Sequence, residues 1–112
     1  MNHQGFKKDG GKPRWDLLPP AALGRLVEVY TYGITKGYPD RNWEKGMAWS
    51  RLFAALMRHA WAFWGGEDLD PESGLPHMAH AAWNALALLE YQVLTKGEDD
   101  RPYQNEIEGE EQ

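Results

Sequence analysis

The chain has 112 residues, 26% of them charged, no cysteine, and a formal net charge of −5 at pH 7. That length allows one domain with a modest core, and the lack of cysteine excludes disulfides and thiolate metal sites, in keeping with an intracellular setting. No apolar run reaches the roughly 18 residues a membrane span needs, and the polar, glycine-rich start is unlike a signal peptide, so a soluble, cytoplasmic protein without a membrane partner is expected.

The charge is unevenly placed. Residues 98–112 carry seven acids and one arginine, a composition that predicts a solvated, disordered acidic tail. Residues 1–97, with ten acids against eleven bases, are close to neutral, which argues against a nucleic-acid groove built on clustered Lys and Arg. Six Trp, five Tyr and three Phe are more aromatic bulk than a small helical monomer encloses, so a homo-oligomer is expected.

Residues 1–11 are polar, contain Gly5, Gly10 and Gly11, and read as a flexible arm. The following Lys12-Pro13-Arg14-Trp15-Asp16-Leu17-Leu18-Pro19-Pro20 is expected to be extended, because its prolines fix φ and withhold helical N–H donors. A first helix is predicted from Pro20, a residue tolerated in the first turn, with Leu23, Leu26, Val27, Tyr30 and Ile34 as its apolar stripe. Gly33 and Gly37 end it.

Residues 38–46 combine turn formers with Trp43 and are expected to form a loop pinned by that ring. Ser50 is the expected N-cap of a second helix, with Leu52, Phe53, Leu56, Ala60 and Phe63 on its buried side, and Gly65-Gly66 as its stop. After an acidic loop, a third helix is predicted from His77 to Leu94, with Met78, Ala81, Ala82, Ala85, Leu86, Leu88 and Leu89 as its apolar surface and Lys96-Gly97 as its end. No strand is predicted. The expected fold is all-α: a small bundle of three to four helices with a long N-terminal extended segment, completed by oligomerisation. Residues 12–97 are expected to form its helical domain, and residues 98–112 its tail.

Three histidines and four carboxylates crowd into residues 59–80. His77, His80 and Asn84, at i, i+3 and i+7, share one face of the third helix. An antiparallel hairpin through the acidic loop brings His59, late in the second helix, towards His80 or Asn84. For His59 the alternative is a core imidazole bonded to a backbone carbonyl, and for His77 a residue that simply favours the loop–helix junction, but burying both His80 and Asn84 beside alanines without partners costs about 1–3 kcal/mol each. Glu67, Asp68, Asp70 and Glu72 are hard-cation ligands by type, with a solvated loop as the alternative. Glu28, mid-helix near an apolar stripe, is a further carboxylate suited to chemistry, or else an exposed salt-bridging residue. Lys12, Arg14, Arg41, Lys45 and Arg51 are the bases available to an anion, and Trp43 is among the aromatics able to stack on a base.

The blocks Lys12-Pro13-Arg14-Trp15-Asp16-Leu17-Leu18-Pro19-Pro20, Val29-Tyr30-Thr31-Tyr32-Gly33, Arg41-Asn42-Trp43-Glu44-Lys45-Gly46, Arg58-His59, Gly66-Glu67-Asp68-Leu69-Asp70-Pro71-Glu72-Ser73-Gly74 and His77-Met78-Ala79-His80-Ala81-Ala82-Trp83-Asn84 together resemble the phage dATP/dGTP diphosphohydrolase family, over about residues 12–92. The resemblance implies an α-helical nucleotide-binding domain, distantly like the MazG-type pyrophosphohydrolases. Those enzymes use Mg2+ on helix carboxylates to split a nucleoside triphosphate into monophosphate and pyrophosphate. Their paired Glu-x-x-Glu and Glu-x-x-Asp motifs are absent from the helices predicted here.

On this reading the protein hydrolyses dATP or dGTP in the cytoplasm of an infected bacterial host. Mg2+ or Mn2+ is expected on Glu28, Glu67, Asp68 and Asp70, with His59 and His80 as the catalytic groups that position water or take its proton. Lys12, Arg14, Arg41, Lys45, His77 and Asn84 are expected to bind the substrate, and Trp43 to stack on its base. The alternative is a binding protein, a sponge that sequesters a nucleotide-derived immune signal without cleaving it.

Overall fold

The computed structural model describes residues 4–103. Three helices, α1 (Pro20–Thr35), α2 (Trp49–Trp64) and α3 (His77–Leu94), are joined by loops, with single 3-10 turns at Trp15–Leu17 and Asn42–Lys45. The fold is all-α, and among the described residues only two isolated β-bridges are extended pairings. No described helix is long and apolar enough to cross a membrane.

Proline chemistry starts α1. Pro19 caps it and Pro20 occupies the first turn, where a missing N–H costs nothing. It ends at Thr35 because Gly37 takes a φ of 96° and lets the Tyr38 N–H turn back to the Gly33 carbonyl at 3.2 Å. Ahead of it, the segment expected to be extended contains one helical turn, closed by a two-pronged ion pair from Arg14 to Asp16 at 2.7 and 2.8 Å. In α1, Val29 is the buried residue, whereas Val27 and Ile34 stay exposed. The packed stripe is therefore offset from the expected one, because α3 is the helix against which α1 chiefly packs and the seam between them is narrow.

The start of α2 differs from expectation in an instructive way. Ala48, not Ser50, holds the cap position, and Asp100 supplies the missing acceptor: its carboxylate accepts from the Ser50 N–H at 2.9 Å and from the Ser50 hydroxyl. A carboxylate at a helix N-terminus satisfies free N–H donors and complements the dipole. Beside it the Trp49 N–H donates to the Glu98 carbonyl at 2.9 Å, and the Trp49 indole donates to the Lys96 carbonyl at 2.9 Å. Residues 98–101 are thus a strap across the start of α2, where a disordered tail was expected to begin. Residues 104–112 of that tail, like residues 1–3 of the arm, lie outside the described residues.

The core is small. Leu52, Ala87 and Tyr91 are its buried centre, with Trp43, Met47, Trp49, Trp83 and Leu88 packed around them. The Tyr91 hydroxyl donates to the Trp43 carbonyl, which ties the interhelical 3-10 turn to α3. Trp43 meets Tyr30 and Trp83 edge to face, at 6.3 and 6.4 Å between centroids, so the loop is pinned by Trp43 as its sequence indicates. Several residues expected inside are outside: Phe53 and Phe63 on α2, and Met78, Leu86 and Leu89 on α3, are exposed.

Candidate metal and nucleotide site

The turn between α2 and α3 is hydrogen-bonded throughout. Gly66, at φ 102°, breaks α2, and Leu69 pairs with Pro76 as an antiparallel bridge. Between them the Asp70 N–H donates to the Leu75 carbonyl at 2.8 Å and the Gly74 N–H to the Asp70 carbonyl at 2.7 Å. The Asp70 carboxylate accepts from the Ser73 N–H at 2.9 Å, an Asx-type turn that needs this residue class at this spacing. The Asp68 carbonyl accepts the His77 N–H at 2.9 Å and so begins α3. The acidic loop is a rigid hairpin, and it holds Asp70 and Ser73 against histidines from both helices.

Three imidazoles meet beneath it. The His59 and His80 rings stack at 4.6 Å and 10°, and His59 Nδ1 lies 2.9 Å from His77 Nδ1. On its other side His77 Nε2 stands 2.6 Å from the Glu67 carboxylate. His80 Nε2 is 2.7 Å from the Ser73 hydroxyl and 3.7 Å from Asp70. The Asn84 amide donates to the His80 carbonyl one turn back, at 2.9 Å, and this buried side chain braces the helix beneath the imidazole. His77 is only 4% exposed.

Burial holds the His59 pKa below its ordinary value, with the neighbouring His80 adding to the effect and Asp70 opposing it. Burial likewise lowers His80, again against the pull of Asp70. Asp70 is itself pushed up by burial, but the hydrogen bonds from Ser73 and the nearby His80 and His59 outweigh this and leave it below the usual carboxylate range. Near neutral pH His59 and His80 are therefore uncharged beside the ionised Asp70 carboxylate.

That is the protonation pattern of a metal-binding set. One donor atom each from His59, Asp70 and His77 lies within 4.8 Å of the others. Two imidazole nitrogens bound to one ion at about 2.0–2.1 Å stand roughly 3 Å apart, close to the 2.9 Å between the facing nitrogens of His59 and His77. Glu67 completes the pattern from outside: accepting the far N–H of His77 fixes the tautomer that leaves Nδ1 free to ligate.

The other residues expected at the site lie elsewhere. Glu28 pairs with Arg25 on α1 at 2.9 Å, and Arg41 pairs with Glu44 at 2.7 Å. Lys12 and Arg14 line a surface concavity of about 520 Å³ in the N-terminal segment, and Lys45 is exposed on the 3-10 turn. Trp43 is packed in the core, and Asp68 contributes its backbone. Two participants were missed. Ser73 carries a readable signal, since it stands three residues after an Asp in a Pro-Gly loop. Lys36, at the end of α1, carries none, yet it pairs with Glu72 of the hairpin at 3.1 Å and lies 5.7 Å from the centre of the Tyr32 ring. Tyr32 in turn meets His80 edge to face at 6.2 Å.

The sequence matches the family described as dATP/dGTP diphosphohydrolase, N-terminal, over residues 2–101. The chain belongs to that family. It is also 31% identical over 105 residues to a dATP/dGTP diphosphohydrolase of Salmonella phage PMBT28, an alignment covering 94% of this chain and 36% of that relative. The chain thus spans about a third of the length of the relative it matches. No solved structure matches. The family match takes in every residue of the hairpin and of the histidine cluster, as well as the strap up to residue 101.

Proposed function

We propose that this domain binds a purine deoxynucleoside triphosphate and, with a divalent transition-metal ion, hydrolyses it to monophosphate and pyrophosphate. The observation that carries the reading is the convergence of His59, Asp70 and His77 within 4.8 Å in a chain of the dATP/dGTP diphosphohydrolase family. Of the two ions considered from the sequence, Mn2+ suits a donor set with two imidazoles better than Mg2+, which prefers oxygen ligands and retained water.

Bound there, such an ion supplies a Lewis acid and a water of lowered pKa. The chain's own groups do the rest. His80, kept neutral by burial, accepts the proton of the water that attacks the α-phosphorus, while the bond to the bridging oxygen breaks and pyrophosphate leaves. Ser73, bonded to the His80 ring nitrogen, relays that proton or holds the water. Lys36, with Tyr32 beside it, supplies positive charge to the phosphates from the end of α1 when it exchanges Glu72 for substrate. A free nucleotide substrate goes with the cytoplasmic setting inferred from composition.

The test is incubation of the pure protein with dATP and dGTP, with and without Mn2+ or Mg2+, followed by chromatography of the products. Metal-dependent monophosphate and pyrophosphate are expected, reduced at least a hundredfold in His59→Ala and Asp70→Asn. Absence of product above the His59→Ala control rejects hydrolysis by this chain. Recovery of intact nucleotide from the purified protein by native mass spectrometry, without turnover, would instead support sequestration.

A further inference from the structure

Helices α2 and α3 each carry a second apolar stripe, turned about 100° from the one that makes the core. On α2 it is Phe53, Met57, Ala60 and Trp64, spaced four, three and four residues apart. On α3 it is Met78, Ala82, Ala85 and Leu89, with the same spacing. Because the two helices run antiparallel, the same turn about each axis points both stripes to one side of the pair. Trp64 and Met78 line one shallow apolar hollow together with Met57 and Ala60, so the two stripes adjoin there. Helix α1 covers the opposite flank of α3, where Tyr30 meets Trp83 at 5.9 Å.

We infer that this face is the interface with a second copy of the chain, the two α2–α3 pairs stacking as an antiparallel four-helix bundle. Spacings of four and three repeated along a helix are the seam of such bundles. The area is sufficient: Trp64 remains 78% exposed, Trp61 65%, Phe53 55% and Leu89 53%, and with their apolar neighbours they offer roughly 1,000 Å² per copy, against about 800 Å² per partner in a standard stable interface.

Size complementarity selects a second copy as the occupant. The α2 stripe is dominated by large side chains and the α3 stripe has two alanines at its centre. A twofold arrangement that lays α2 of one copy across α3 of the other seats rings in the alanine trough on both sides of the axis at once. None of the eight stripe residues is ionisable, so nothing on the face selects a charged peptide. The histidine cluster lies on the core side of both helices, away from this face.

Sedimentation equilibrium of the full chain tests this directly, with a mass twice 12.8 kDa expected. Ala85→Glu and Leu89→Lys, each at an exposed position, are expected to halve that mass while keeping the helical circular dichroism signal. To separate loss of the interface from loss of structure, the wild-type protein is also footprinted with hydroxyl radicals across a dilution series. At least fivefold protection of Met57, Met78 and Trp64 in concentrated over dilute protein is expected. A wild-type mass of one chain, folded variants that remain dimeric, or a dimer in which those side chains stay reactive each overturns the inference.

Discussion

His59 and His77 confront each other Nδ1 to Nδ1 at 2.9 Å, while the far nitrogen of His77 is 2.6 Å from the Glu67 carboxylate. One proton bridges the two facing nitrogens in such a contact, and a bound metal ion would replace it with a stronger common partner. Glu67 would favour that exchange by accepting the far N–H of His77, the role that outer carboxylates play for metal-bound histidines. Glu67→Gln keeps a hydrogen-bond acceptor and removes the charge. We expect it to weaken Mn2+ binding about 10- to 100-fold, measured by calorimetry, with the thermal stability of the metal-free protein nearly unchanged because Glu67 is more than half exposed. An unaltered metal affinity would remove Glu67 from the site.

Acid should destabilise this protein through the same cluster. His59 and His80 both have folded-state pKa values lowered by burial, so between those values and the unfolded value of about 6.5 the unfolded chain binds more protons than the folded one. Stability from these groups is then complete above pH 6.5 and is lost as the pH falls towards the folded-state values. Denaturant titrations at pH 7.5, 6.0 and 5.0 should show a falling midpoint. His80→Gln, which removes one of the two titrating groups, should shallow the slope. A slope equal to that of the wild type would mean that His80 is not the group responsible.

How much of this was legible beforehand follows from the range over which each residue acts. Helix α3 runs from His77 to Leu94 as its sequence indicates, because its limits are set by local chemistry: Pro76 at one end, Gly97 soon after the other. The meeting of His59 with His80 was likewise readable, since an antiparallel hairpin with a rigid turn fixes which residues face each other. The capping of α2 by Asp100 was not, because it joins positions 50 residues apart that only tertiary packing brings together. The burial stripes went astray for a related reason. Periodicity marks every apolar face of α2 and α3 alike, and the sequence does not say which of the two faces α1 and the 3-10 turn will cover.

Trp43 illustrates the difference between a residue type and its place. An aromatic in a chain with a nucleotide-binding resemblance invites base stacking, yet this ring lies among Tyr30, Trp83 and Tyr91, the last at 6.1 Å. Replacing it with Leu should cost about 1–3 kcal/mol of stability through lost aromatic packing, read from the urea midpoint. Nucleotide affinity, measured on folded protein at low temperature, should be within twofold of wild type. A tenfold loss of affinity with stability intact would return Trp43 to the binding site.

Gly97 is the residue on which the strap over α2 depends. Its φ of 75° is in the region that favours glycine, and a Cβ built there lies 2.5 Å from the Met47 carbonyl oxygen and 3.2 Å from the Tyr91 ring. Neither neighbour yields easily: Met47 O is backbone and accepts from the Glu98 N–H, and Tyr91 is fully buried. Gly97→Ala must therefore either strain the backbone or lift residues 98–100 from the start of α2, releasing the Asp100 cap on Ser50. We expect a loss of about 2 kcal/mol or more, equivalent to a fall in Tm of about 10 °C for a domain of this size. Gly24→Ala is the control, because that glycine sits inside α1 with no atom within 4 Å of its would-be Cβ. There the substitution should be neutral or slightly stabilising through helix propensity. Equal Tm values for the two variants would mean that the close packing of Gly97 against Met47 and Tyr91 does not persist in solution.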